Sequence, residues 1–105
     1  MNVDKWKEIE SKKLHHGAGG SVDKACVMEM VSYIADEPWS DHPACACPIL
    51  TNVAIRLNDR FTDKHRQLLK PLIPILVGTK ANDETQIARK RFFYWRNVTV
   101  IFPII

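Results

Sequence analysis

The sequence predicts an all-α fold: a compact bundle of four to five short helices packed around a buried central helix at about residues 22–36. Three observations point there. The run Ala25-Cys26-Val27-Met28-Glu29-Met30-Val31-Ser32-Tyr33-Ile34-Ala35 is apolar on nearly every side when wound as a helix, and a helix with no polar face belongs inside a protein. The flanking segments repeat apolar residues at helical spacing. Only Val98-Thr99-Val100-Ile101-Phe102 would suit a strand, and no second clear strand exists for it to pair with.

The elements follow in order. Asp4 to Lys13 reads as a short amphipathic helix with Trp6 and Ile9 on one side, in need of tertiary support at this length. Leu14 to Ser21 breaks the pattern with three glycines, and Ser21 is placed to cap the central helix, with Asp23 in its first turn. Pro38 ends that helix, since the residue before a proline is pushed out of the helical region. Pro48 suits the first turn of a third helix, Ile49 to Asn58, with Ile49, Leu50, Val53, Ile55 and Leu57 as its apolar face. Thr62 caps a fourth, with Leu68, Leu69, Leu72, Ile73 and Leu76 inward. Pro71 and Pro74 predict a kink or break at Lys70, and Gly78 marks the end. A last helix runs from Glu84 to about Thr99 with Ile87, Phe92, Trp95 and Val98 at helical spacing, followed by an apolar tail.

A chain of 105 residues makes a single domain, residues 1–105. Its 46% apolar and 26% charged residues are ordinary for a globular protein. No run approaches the roughly 20 apolar residues that span a bilayer, and the charged N-terminus lacks the apolar core of a signal peptide. The expectation is a cytoplasmic protein with no membrane partner. Three cysteines do not make a disulfide framework. Residues 1–59 carry six Lys and Arg against nine Asp and Glu, whereas residues 60–105 carry nine against three. The C-terminal half would therefore attract an anion.

Chemistry concentrates at the end of the central helix. Glu29 sits among methionines and valines, where a carboxylate needs partners, and His42 or Arg56 could supply them. Trp39, Asp41 and His42 follow in one proline-bounded turn, bringing an aromatic ring, an acid and an imidazole together. His16, Gly19 and Gly20 lie in a glycine-rich loop entering a helix, an arrangement that can hold a phosphate, although no Walker or dinucleotide fingerprint is present. His42, Cys45 and Cys47 lack the paired spacing of a structural zinc site, so no metal and no cofactor are expected.

The run from Cys26 to Pro43, with Cys45, Pro48, Leu57-Asn58-Asp59 and Leu69 to Thr79, resembles a family of small helical bacterial and phage proteins without an assigned activity. The likeness spans roughly residues 14–80, and the segment after Asn82 departs from it. It implies a helical domain and a phage or mobile-element setting. The favoured expectation is a non-enzymatic protein, forming a homo-oligomer, that sequesters a nucleotide-like anionic ligand in the manner of an immune-signal sponge. Its ligand-binding residues would be His16, Gly19, Gly20, Glu29, Trp39, Asp41, His42 and Arg56. One alternative is an inhibitor of a host or defence protein, acting through Phe92, Phe93, Tyr94, Trp95 and the tail. Another is a small hydrolase using Glu29, Asp41 and His42.

Overall fold

The structure, a computed structural model, describes residues 1–17 and 20–96, and for residues 93–96 the backbone alone. It is helical throughout, with no strand among the described residues: α1 Val3–Ile9, α2 Val27–Ile34, α3 Pro48–Arg60, α4 Asp63–Arg66, a 3-10 segment Gln67–Leu72, α5 Ile73–Leu76 and α6 Asp83–Arg96. The core is α2. Val27, Met28, Met30, Val31 and Ile34 are fully buried, and α1, α3 and α5 pack on it, as the all-apolar pattern requires.

The start of α2 lies five residues later than expected. Ser21 does not cap it. Residues 21–26 are turn and extended chain, held by a Lys12–Asp23 ion pair and by the His15 N–H donating to the Ala25 carbonyl at 2.9 Å. Cys26 is the N-cap instead, and Glu29 three residues on returns its carboxylate to the Cys26 N–H at 3.0 Å. This is a capping box with a thiol in the usual hydroxyl position. At the other end Asp36 takes a left-handed φ of 57°, while the Asp36 and Glu37 N–H groups donate back to the Tyr33 and Ser32 carbonyls. That is the Schellman pattern, with an aspartate where glycine is commonest. Asn2 caps α1, and its own N–H donates to the Ile34 carbonyl at 2.7 Å, so the chain's first turn is tied to the end of the central helix.

Helix α3 buries Thr51, Ala54 and Asn58, while Leu50, Ile55 and Leu57 are only half-buried at its flanks. After Thr62 caps α4, Pro71 has no N–H to continue α-type pairing, and the chain tightens into the 3-10 segment before α5. The buried stripe there is Arg66, Leu69, Ile73 and Leu76; Leu68 and Leu72 fall off it and are exposed. In α6, capped by Asn82, Ile87 and Phe92 are exposed, and the helix is anchored by Arg89 donating to the Thr79 carbonyl at 2.7 Å. The Trp95 side chain and the residues from Asn97 to the apolar tail, including the expected helix end at Thr99, lie outside what is described.

The turn between α2 and α3 is organised by Glu37. Its carboxylate accepts from the Ala44 N–H at 2.7 Å and the Cys45 N–H at 3.0 Å. The Cys45 thiol and these two amides hold the Glu37 carboxyl below its ordinary value of 4.5. A depressed folded-state value means stabilisation that is complete above pH 4.5 and disappears as the pH falls through the lower folded value. Glu37→Gln is therefore expected to be less stable than wild type at pH 7. In urea titrations across pH 2 to 7 the gap should close below the ordinary glutamate range; a constant gap would contradict this role.

Candidate functional site

Where α2 begins and α3 ends, the chain leaves a cleft of about 400 Å³, lined by His16, Cys26, Glu29, Trp39, Ser40, Asp41, Ile55, Asn58 and Asp59. Each element brings its part for a local reason. The capping box turns Glu29 back along α2 to the cleft wall. Ile55, Asn58 and Asp59, three and four apart, share one face of α3. The turn carrying Trp39, Ser40 and Asp41 is pinned by the Ser32 hydroxyl, which donates to the Glu29 carbonyl at 2.7 Å and accepts from the Ser40 N–H at 3.3 Å.

Glu29 is 7% exposed. Its Oε1 accepts from the Cys26 N–H, and its Oε2 accepts from the Trp39 indole N–H at 2.9 Å. The expected partners were His42 or Arg56, and neither reaches it. His42 is exposed and bonds its neighbour Asp41, with 2.7 Å between Nδ1 and Oδ1. Arg56 is exposed on α3 and does not line the cleft. Trp39 thus takes the role assigned to an imidazole or guanidinium, and its ring meets Tyr33 edge-on at 6.4 Å between centroids.

Behind the cleft stands Arg66, 1% exposed. Its Nε donates to the Asn58 carbonyl at 2.6 Å, and its Nη2 donates to the Phe61 carbonyl at 2.8 Å and to His16 Nε2 at 3.1 Å. Nη1 donates to Asp63, a residue otherwise in solvent. Because a guanidinium only donates, His16 Nε2 must accept, which leaves Nδ1 as the nitrogen facing Asp59, 3.9 Å away. Asn58 completes the frame: its Oδ1 accepts from the Val27 N–H at 3.1 Å, and its Nδ2 donates to the His15 carbonyl at 2.8 Å. Gln67 clamps the same loop, accepting from the Leu14 N–H and donating to the Leu14 carbonyl.

Four of the eight expected site residues therefore meet in the cleft: His16, Glu29, Trp39 and Asp41. His42 adjoins through Asp41, while Arg56 and Gly20 do not line the cleft, and Gly19 lies outside the described residues. The glycine that matters is Gly17: an added Cβ would sit 2.5 Å from Glu29 Oε1, and φ is 99°. Cys26, Asn58, Asp59 and Arg66 went unassigned. A polar residue three before a glutamate at a helix start is a capping-box signal that could have found Cys26; nothing local marks Arg66. Among the described residues this lining holds three carboxylates and no lysine or arginine. Arg66, bonded to His16 at the cleft wall, is spent on backbone carbonyls, His16 and Asp63.

The three thiols sit in different surroundings. Burial, and then the Glu29 carboxylate beside it, push the Cys26 thiol up to about 12. Burial and Glu37 raise Cys45, whereas Cys47, at the start of α3, is brought down against its burial by the Leu50 N–H, Arg89 and the Ile49 N–H. No three His, Cys, Asp or Glu side chains among the described residues are placed to hold a metal ion. Cys26 is expected to stay unalkylated by iodoacetamide at pH 8 in the folded protein and to react only after unfolding. Peptide mass mapping checks this, and rapid labelling of native Cys26 would contradict the thiol assignment.

Comparison with protein-family models, with curated proteins and with solved structures finds no match. No helix among the described residues is long and apolar enough to cross a membrane.

Proposed function

We propose that this chain is a small binding protein that holds one small organic molecule in the cleft between α2, α3 and the turn at 38–43, and does so without converting it. One observation carries the reading. A carboxylate more than nine-tenths buried lines a cleft of about 400 Å³, a volume suited to a small ligand, and is oriented by two N–H donors next to an indole ring. Covalent catalysis by a thiol would need it ionised, and burial pushes the Cys26 thiol in the lining up to about 12. The Asp41–His42 pair of the hydrolase alternative stands at the rim, with His42 outside the lining. Sequestration as the purpose of binding, and a phage setting for it, rest on the family resemblance of residues 14–80.

Native mass spectrometry of protein purified from its own host background tests the reading. A small molecule should be retained at one per subunit and released unchanged on denaturation. Release of an altered molecule would favour an enzyme. An empty protein that also shows no thermal stabilisation by any member of a broad metabolite panel would end the binding reading, because a ligand selective for the native state must raise stability by mass action.

A further inference from the structure

We infer that the cleft is built for a small organic cation with a flat, hydrogen-bond-donating head, a guanidinium or amidinium; this rests on the cleft being a binding site. The chain as a whole carries a net charge of +3, yet the cleft lining holds Glu29, Asp41 and Asp59 and no lysine or arginine. A concave site with one sign of charge focuses its field on an incoming ligand of the other sign.

Glu29 supplies the independent observation. The residue is 7% exposed, and no cation pairs with it among the described residues. Its bonding partners are all neutral: the Cys26 N–H and the Trp39 indole N–H donate to it, and the Cys26 thiol lies beside it. A buried carboxylate without a counter-charge is an unfavourable arrangement that an entering cation relieves. The forked N–H groups of a guanidinium suit carboxylate oxygens better than the single point of an ammonium. Trp39 brings an aromatic ring to the same wall, fixed by its bond to Glu29 and by the edge of Tyr33, and a planar cation gains from lying against it.

The competing occupants fit less well. An anion would meet three carboxylates, and four of the five N–H groups of the nearby Arg66 guanidinium are taken by Asn58, Phe61, His16 and Asp63. A metal ion would need a converging donor set, and none exists among the described residues.

The probes are agmatine, putrescine, guanosine monophosphate and inorganic phosphate, titrated against ¹⁵N-labelled protein at 50 and 500 mM sodium chloride. Agmatine is expected to shift the Trp39 indole N–H and the Cys26 amide, to bind more tightly than putrescine, and to weaken at the higher salt. Glu29→Gln should weaken it about tenfold or more, the scale of one charge-assisted hydrogen bond. Should Glu29→Gln fail to fold, Asp41→Asn and Asp59→Asn are exposed changes expected to keep the fold and to weaken agmatine about two- to fivefold each. Unchanged affinity in both of these overturns the assignment. Phosphate or the nucleotide shifting the Trp39 indole while agmatine does not would overturn the cation assignment and leave the binding reading standing. If no probe binds, the cation assignment falls, and the binding reading is then decided separately by the retained mass in native spectra.

Discussion

Arg66→Met is expected to lower the unfolding free energy by about 3–5 kcal/mol. Methionine fills much of the same volume, so cavity formation is the smaller part of the loss. The larger part is the set of acceptors left behind: the Asn58 carbonyl, buried with its residue, the Phe61 carbonyl and His16 Nε2. A buried acceptor without a donor costs about 1–3 kcal/mol, in full for the Asn58 carbonyl and less for the half-buried Phe61 and the exposed His16, which water can reach. The ion pair itself contributes little, because Asp63 is in solvent, its side chain 90% exposed. Asp63→Asn is therefore the matched control, expected to change stability by under about 1 kcal/mol. For a chain of this size the Arg66 change should lower the melting temperature by roughly 15–30 °C. Equal effects from the two substitutions would show that the salt bridge, and not the carbonyl contacts, holds α3 to α4.

Gly17→Ala is expected to cost about 2–4 kcal/mol and to change the environment of Trp39. Two penalties add. A non-glycine residue at φ 99° is strained by about 1–3 kcal/mol. A Cβ would also lie 2.5 Å from Glu29 Oε1 and 3.2 Å from Cys26 Cβ, so the carboxylate that caps α2 has to move. Trp39 fluorescence should respond because its indole N–H is bonded to the other oxygen of that carboxylate. Gly20→Ala makes the comparison: its φ is 69°, but nothing lies within 4 Å of the added carbon. That change should destabilise less and leave the Trp39 signal unaltered. A Trp39 response from Gly20→Ala and none from Gly17→Ala would contradict the close approach of the loop to Glu29.

The sequence marks most of what lies near one helix and little of what joins distant ones. The burial of α2, the cap at Thr62, the loss of α-type pairing before Pro71 and the burial of Glu29 all follow from local pattern, and each is found. The cap of α2 was misplaced because Ser21 looks like a better cap than Cys26. Tertiary contacts decide it: the His15 N–H and Lys12 hold residues 21–25 out of the helix. Glu29's partner was misjudged for a related reason. Opposite charge suggests itself on paper, whereas in space the nearest donor is an indole ten residues on. Arg66 is harder still. Two of its four acceptors are main-chain carbonyls, and backbone geometry has no letter in a sequence.

The capping box has one more consequence. The atoms that start the central helix are the same atoms that wall the cleft, so filling the cleft and winding the first turn of α2 are thermodynamically coupled events. A guest that bonds Glu29 without pulling it from Cys26 would slow deuterium uptake at the Cys26 amide and along that first turn. A guest that pulled it away would fray the helix from its beginning. The protein would thus report occupancy of its surface through the breathing of its innermost segment.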